Sequence, residues 1–257
     1  MSDLSWKTSI TKIGPNEVRL RGYRVDELMG QISFSQGIYL ALMGDLPDDN
    51  VSKMIDAILV SSIDHGASPP SALAARTAAS TGASLNGAVA AGLLSINRFH
   101  GGAIYDCMSI LANGIERTVS SGTDMDDIAI QIVGEFKAEK KRIAGLGHRI
   151  HSADPRTLKL FSLSGELDIA NAGVNMIRAL QSAVAANGKA LPINVDGAIA
   201  AVLIDLEIPR ELANAFFFMA RVPGLVAQVY EEQTRERPMR RIHPTDHTYD
   251  GPSDRST

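Results

Sequence analysis

Residues 71–97 read SALAARTAASTGASLNGAVAAGLLSIN, a run of apolar and small residues that starts behind Pro69 and Pro70 and predicts a helix over Ser71–Asn97. It is too rich in Ala, Gly, Ser and Thr, and too clearly interrupted by Arg76 and Asn86, to supply the about 20 apolar residues that cross hydrocarbon. Small side chains instead let helices approach one another closely. Outward from this stretch the same three- and four-residue apolar spacing predicts helices over Val25–Met43, Val51–Ile63, Ile104–Gly114, Asp124–Ala144, Arg156–Ser164, Leu167–Ala186, Ala198–Leu206 and Arg210–Glu232, parted by Gly, Pro, Asn and Asp. Strand-like alternation is confined to Val18–Leu20. The fold class is therefore all-α, with a largely aliphatic core, since aromatics make up only 5% of the chain.

At 257 residues the chain is long enough for one or two domains. Hydrophobic residues at 45% and charged residues at 21% exclude a chain too polar to collapse. A net charge of -4 lacks the basic excess needed to neutralise a phosphate backbone, so no nucleic-acid partner is expected. The lone Cys107 cannot form an internal disulfide, and Met1–Ile10 has neither a basic nor an apolar leader region, so a cytoplasmic setting is expected, with no membrane partner. The tail from Gly251 to Thr257 is expected to be disordered.

Three histidines fall at breaks between helices, beside glycine: Asp64-His65-Gly66, Phe99-His100-Gly101-Gly102 and Gly145-Leu146-Gly147-His148. Glycine neighbours leave an imidazole and the adjacent amides open to a ligand, and a near-neutral pKa suits proton transfer. Each of them alone is equally readable as a satisfied turn histidine. The segment Ile193-Asn194-Val195-Asp196-Gly197 puts a carboxylate at a helix start, where the plainest reading of Asp196 is an N-cap. A metal site at His148, His151 and His100, or at His243 and His247 around Asp246, finds no cysteine pair and no HExxH pattern in support. Cys107 lies in an apolar helical pattern and reads as a buried packing residue.

Taken in order, these segments resemble the citrate synthase superfamily. Leu20-Arg21-Gly22-Tyr23 through Leu46-Pro47 is similar to its opening segment; Phe99-His100-Gly101-Gly102-Ala103, Gly145-Leu146-Gly147-His148-Arg149 with Asp154-Pro155-Arg156, Asn194-Val195-Asp196-Gly197 and Ala220-Arg221 resemble its active-site segments. Ala91-Gly92-Leu93-Leu94-Ser95-Ile96 and Ile193–Ile199 resemble the citryl-CoA lyases and the lyase module of ATP-citrate lyase more than the synthases. His100 is a synthase-like trait, and the interval from His148 to Arg156 is short for either group.

The resemblance implies a citrate synthase-like fold: a large, dimer-forming helical domain from residues 1–100 and 206–257, with a smaller helical domain, 101–205, inserted and carrying catalytic loops. It implies cleavage of citryl-CoA, or a similar 3-hydroxy-3-carboxyacyl-CoA such as citramalyl-CoA, to acetyl-CoA and a 2-oxo acid such as oxaloacetate. His148 would deprotonate the carbinol hydroxyl, His100 would donate to the thioester oxygen where charge develops, and Asp196 would protonate the departing methylene. His65, Arg156 and Arg221 would hold carboxylates, whose geometry the guanidinium fork matches. Arg237, with Arg240 and Arg241 as rivals, would reach the neighbouring subunit of a homodimer. Lys141, Arg142, Gly145, Gly147 and Arg149, beside Lys140, would bind the coenzyme A part of the substrate, and no metal is implied. The same basic cluster is also readable as a helix end favourable to its dipole. Two alternatives stay open: a minimal citrate or methylcitrate synthase condensing acetyl-CoA or propionyl-CoA with oxaloacetate, and a non-catalytic helical interaction protein.

Overall fold

The computed structural model describes residues 6–148, 151–188 and 190–240. Three short strands, β1 (Thr11–Gly14), β2 (Glu17–Leu20) and β3 (Tyr23–Arg24), precede helices α1 (Val25–Leu28), α2 (Phe34–Met43), α3 (Asp49–Ser61), α4 (Pro70–Ser80), α5 (Leu85–Leu94), α6 (Ala103–Ser121), α7 (Met125–Ala138), α8 (Pro155–Glu166), α9 (Ala172–Ala186), α10 (Val195–Asp205) and α11 (Ala213–Arg235). A 3-10 turn at Arg210–Leu212 leads into α11. The fold is mainly helical, as expected. The alternation at Val18–Leu20 belongs to an antiparallel meander in which Ile13 pairs with Val18 and Leu20 with Tyr23.

Two compact units divide the chain: residues 1–63 with 98–220, and residues 64–97 with 221–257. These boundaries differ from the inserted 101–205 domain that the resemblance implies.

In the first unit α10 is the central rod. Its residues Ala198 to Leu203 are all shielded completely, as a helix apolar on every side must be. It packs on α6, α8 and α9, while α7 lies against α6 and α9 and α3 against α2 and α8. Its last residue, Asp205, accepts hydrogen bonds from the backbone amides of Asn171 (2.9 Å), Gly173 (2.6 Å) and Val174 (3.1 Å), satisfying the open N-terminus of α9.

In the second unit α4 and α5 pack through small residues, as the composition of 71–97 predicts. A Cβ at Gly92 would lie 2.8 Å from the Ser71 carbonyl oxygen and 3.1 Å from Leu225 Cδ1. The predicted single helix is nonetheless two: it breaks at Thr81-Gly82-Ala83-Ser84, where Gly82 takes φ +92° and α5 begins behind Ser84. The carboxylate of Glu232 is completely buried between two arginines: Arg76 Nε lies 2.8 Å away in an ion pair without hydrogen-bond alignment, and Arg240 donates through Nε (2.6 Å) and Nη2 (2.5 Å). Burial raises the proton affinity of Glu232, but Arg240 and Arg76 outweigh it and hold the group below its ordinary value.

By length and composition Arg210–Arg235 could cross a bilayer, yet Phe216, Leu225 and Val229 along it are buried within the protein.

Candidate active site

In the first unit the segments Gly145–His148 and Ile193–Gly197 meet at a backbone junction. Leu146 and Ile193 form an antiparallel bridge; Gly147 N donates to Pro192 O (2.7 Å) and Asn194 N to Gly145 O (3.0 Å). The Asn194 side chain completes it, donating from Nδ2 to Gly147 O (2.8 Å) while its Oδ1 accepts from Gly197 N (3.0 Å). Thr157, in the first turn of α8, donates its hydroxyl to Ile193 O (3.1 Å). His148 and Asp196 thus sit on two chain segments bonded to each other.

Two glycines permit this contact. Gly145, at φ +87°, approaches so closely that its added Cβ would lie 2.6 Å from Cys107 Sγ and 2.9 Å from Gly197 Cα, while a Cβ on Gly197 would lie 2.5 Å from the Gly145 oxygen. Gly145 is therefore a buried packing element. Cys107 is buried as expected, and burial, with the carboxylates of Asp196 and Asp106, pushes its thiol far above the ordinary range.

Asp196 lies in the first turn of α10, but Asn194 is the N-cap, which corrects the plain reading of Asp196 as the capping residue. His100 lies immediately before α6, and its ring meets Phe217 edge-on with centroids 6.0 Å apart. The turn that holds it needs both glycines: Gly101 is at φ +84°, and a Cβ on Gly102 would lie 2.5 Å from the Arg98 oxygen.

His148 Nδ1 accepts from the backbone N–H of His151 at 3.0 Å. In a neutral imidazole whose Nδ1 accepts, the proton sits on Nε2, which leaves Nε2 as the donor of this ring. Burial and the neighbouring His151 push its proton affinity below the ordinary imidazole value, against the opposing pull of Asp154. At the start of α8, the buried Asp154 clamps Arg156, accepting from Nε at 3.0 Å and from Nη2 at 2.8 Å and capping the helix at Arg156 N. Burial raises and the guanidinium lowers the Asp154 carboxyl, which ends below its usual range. Two of the five Arg156 N–H donors are thereby used within the protein, and the fork that remains is oriented by them.

Next to His148 opens a cleft of about 900 Å3 lined by Lys137, Lys140, Lys141, Arg142, Gly147 and His148, with apolar walls from Phe136, Leu191 and Pro192. The structure so brings Lys141, Arg142, Gly147 and His148 to one cleft, with Gly145 buried against Cys107; Lys137 and Leu191 also line it and were not anticipated. Lys141 also pairs with Glu139 at 2.6 Å. The helix expected through Ala144 stops at Ala138, and Lys140 turns into the left-handed region at φ +54°, which frees the basic residues from a helix surface.

His65, Arg221 and Arg237 belong to the second unit. Asp64, beside His65, accepts from Gly66 N at 2.9 Å and from Gln228 Nε2 at 3.2 Å, and Gln228 Oε1 accepts in turn from Arg76 at 2.7 Å. Arg221 is buried and Arg237 is exposed. Arg240, a rival of Arg237, is committed to Glu232 of its own chain. Arg149, Arg241, His243, Asp246 and His247 lie outside the described residues. Among the described residues no three His, Cys, Asp or Glu side chains converge as metal ligands would.

The solved structure of citryl-CoA lyase from Hydrogenobacter thermophilus is 42% identical and superposes with a TM-score of 0.88, covering 98% of this chain and 97% of that one. Citrate/2-methylcitrate synthase of Bacillus subtilis (strain 168) is 30% identical over 212 residues, 80% of this chain and 54% of the relative. ATP-citrate synthase beta chain protein 2 of Arabidopsis thaliana is 26% identical over 213 residues, 75% of this chain and 33% of the relative. The chain spans about half the length of the curated synthases it matches. With residues 45–244 matching the model described as citrate synthase, C-terminal domain, across both segments of the junction, the chain belongs to the citrate synthase family.

Proposed function

We propose that the protein is a carbon–carbon lyase that cleaves citryl-CoA, or a closely related 3-hydroxy-3-carboxyacyl-CoA such as citramalyl-CoA, into acetyl-CoA and a 2-oxo acid. The observation that carries this reading is the junction that bonds the Gly145–His148 loop to the Pro192–Gly197 segment beside a basic cleft. The likeness over nearly the whole of both chains to a solved citryl-CoA lyase supports it.

Cleavage next to a thioester needs an oxygen-stabilising donor at the carbinol, a second donor at the thioester carbonyl, and an acid for the methylene. His148 serves as the first: its Nε2–H hydrogen-bonds to the carbinol oxygen and stabilises the charge that develops there as the carbon–carbon bond breaks, while the hydroxyl proton is released to solvent and Asp196 is reprotonated from solvent to close the cycle. His100 donates to the thioester oxygen as the enolate forms, and Asp196 protonates the methylene carbon. Arg156, aimed by Asp154, pairs with a substrate carboxylate. Lys140, Lys141 and Arg142 meet the phosphates of coenzyme A, whose pantetheine arm runs along the apolar walls of the cleft. Carboxylate contacts by His65, Arg221 and Arg237, with Arg237 reaching a second copy in a homodimer, complete the proposal, as do the large and inserted domains of the family pattern and a cytoplasmic setting.

The test incubates purified protein with citryl-CoA and, separately, with oxaloacetate plus acetyl-CoA, following oxo acid and free thiol. The expected result is oxaloacetate released from citryl-CoA without free thiol. Rapid appearance of free coenzyme A in the second mixture would overturn the lyase reading in favour of a synthase that hydrolyses its thioester product.

A further inference from the structure

A second histidine, His151, follows His148 at a distance of three residues. His151 reaches back onto His148 in two ways. Its backbone amide donates to His148 Nδ1 at 3.0 Å, and its imidazole lies over the His148 ring with centroids 4.4 Å apart and planes tilted by 35°. We propose that His151 is a positioning residue for His148: its amide fixes which ring nitrogen bears the proton, and its imidazole fixes the plane in which that proton is presented to substrate.

A half-exposed histidine in a glycine-flanked turn rotates about two torsions and exchanges its proton between two nitrogens, so only a fraction of molecules presents Nε2–H in one direction. One amide donor at Nδ1 removes the wrong tautomer, because Nδ1–H would then face N–H. It equally disfavours the doubly protonated ring. The stacked imidazole removes rotation, since turning the His148 ring would drive it into its neighbour. Support for a donor that works only in one tautomer is a recurrent requirement of preorganised sites.

The groups around His148 make the same point electrostatically. Facing it are His151 from its own loop and Asp154 and Arg156 from the start of α8, while Lys140, Lys141 and Arg142 line the same cleft. Asp154 favours a charged His148, but it is already clamped by Arg156. Burial and a positive charge on His151 oppose it, and the net shift is downward. His148 is in this way kept neutral, as a donor from Nε2 requires.

This inference deepens the proposed lyase reading, and its primary measurement does not need turnover. Full-length protein labelled with 15N on histidine side chains reports the His148 tautomer and midpoint by NMR, with His148→Gln assigning the signal. The unsubstituted protein is expected to show the Nε2–H form. His151→Ala, which keeps the amide and deletes the stack, is expected to raise the His148 midpoint by about half a pH unit and to lower kcat about tenfold with KM little changed. His151→Phe, which restores an uncharged ring to stack, is expected to recover most of kcat while retaining the raised midpoint. An Nδ1–H signal in the unsubstituted protein, or an unmoved midpoint and unmoved kcat in both variants, would overturn the proposal while leaving the lyase reading intact. Failure of the unsubstituted protein to cleave citryl-CoA, with the tautomer and midpoints as expected, would overturn the lyase reading alone.

Discussion

Asn194 ties the Gly145–His148 loop to helix α10 through a single side chain, its Nδ2 bonded to the Gly147 carbonyl at 2.8 Å while its Oδ1 caps α10 at Gly197. Asn194→Ala loses both bonds at once. Loss of the cap alone costs about 1 kcal/mol, which in a chain of this size lowers Tm by about 2–4 °C. Calorimetry should find at least that decrease, and turnover should fall further than stability alone explains, because His148 is no longer tied to the segment that bears Asp196. Unchanged kcat in a folded Asn194→Ala protein would separate the junction from catalysis.

Asp196→Asn retains the size and the place in the first turn of α10 but cannot surrender a proton to carbon. Turnover of citryl-CoA is expected to drop by at least about 100-fold, with far-UV circular dichroism and Tm close to those of the unsubstituted protein.

The pH dependence follows from His148. Burial and His151 depress its proton affinity below the ordinary imidazole value of 6.5, so the neutral, donating form persists below pH 6.5. The acidic limb of kcat/KM assigned to this group should therefore lie on the acid side of 6.5, activity being lost as the pH falls through the depressed value. A limb above 6.5 that disappears in His148→Gln would contradict this.

The buried Glu232 ties Arg76 in α4 and Arg240 beyond α11 to one carboxylate. Glu232→Gln leaves two arginines without their counter-charge, and breaking such a buried pair costs about 3–5 kcal/mol. The sign with pH is fixed by the depressed carboxyl: its stabilisation is complete above the ordinary value of 4.5 and disappears as the pH falls through the lower folded-state value. Acid unfolding of the unsubstituted protein should show this dependence, and Glu232→Gln should lack it.

Lys141→Ala combined with Arg142→Ala removes two cations from the cleft beside His148. KM for the coenzyme A thioester is expected to rise about tenfold, with less effect on kcat, and the ionic-strength dependence of kcat/KM should flatten. An unchanged KM would place the phosphates elsewhere.

The helices were legible where apolar periodicity was long and its ends carried recognisable signals; they were misjudged where a short break interrupts a continuous apolar pattern. Val25–Met43 looks like one helix because its apolar spacing runs through residues 29–33, yet Gly30 takes φ +78° and Ser33 forms a capping box with Gln36 that starts α2 afresh. The same competition divides α4 from α5. At Leu167–Ala186 the helix begins only at Ala172, since Asp168 is left-handed and Asp205, distant in sequence, supplies the cap. That partner is tertiary and leaves no local trace.

For the site, the glycine-flanked histidines and Asn194-Val195-Asp196-Gly197 were visible as chemistry-bearing segments, and the basic cluster as a candidate phosphate surface. The tautomer of His148, the commitment of Arg240 to Glu232 and the packing role of Gly145 depend on which backbone atoms meet across the fold, and no spacing in one chain encodes that. The Asp154-Pro155-Arg156 motif lay between these cases: its arginine was singled out, but the aspartate that aims it emerged only from the bidentate geometry.

Helix α10 carries one aspartate near each end, Asp196 in its first turn and Asp205 gripping three amides at the head of α9. Sliding this rod along its axis by even a fraction of a turn would tear that grip, so the carboxylate proposed to transfer the proton is moored by a remote structural one. Loosening Asp205 should accordingly blur the aim of Asp196 from the far side of the helix, without any change at the reacting atoms themselves.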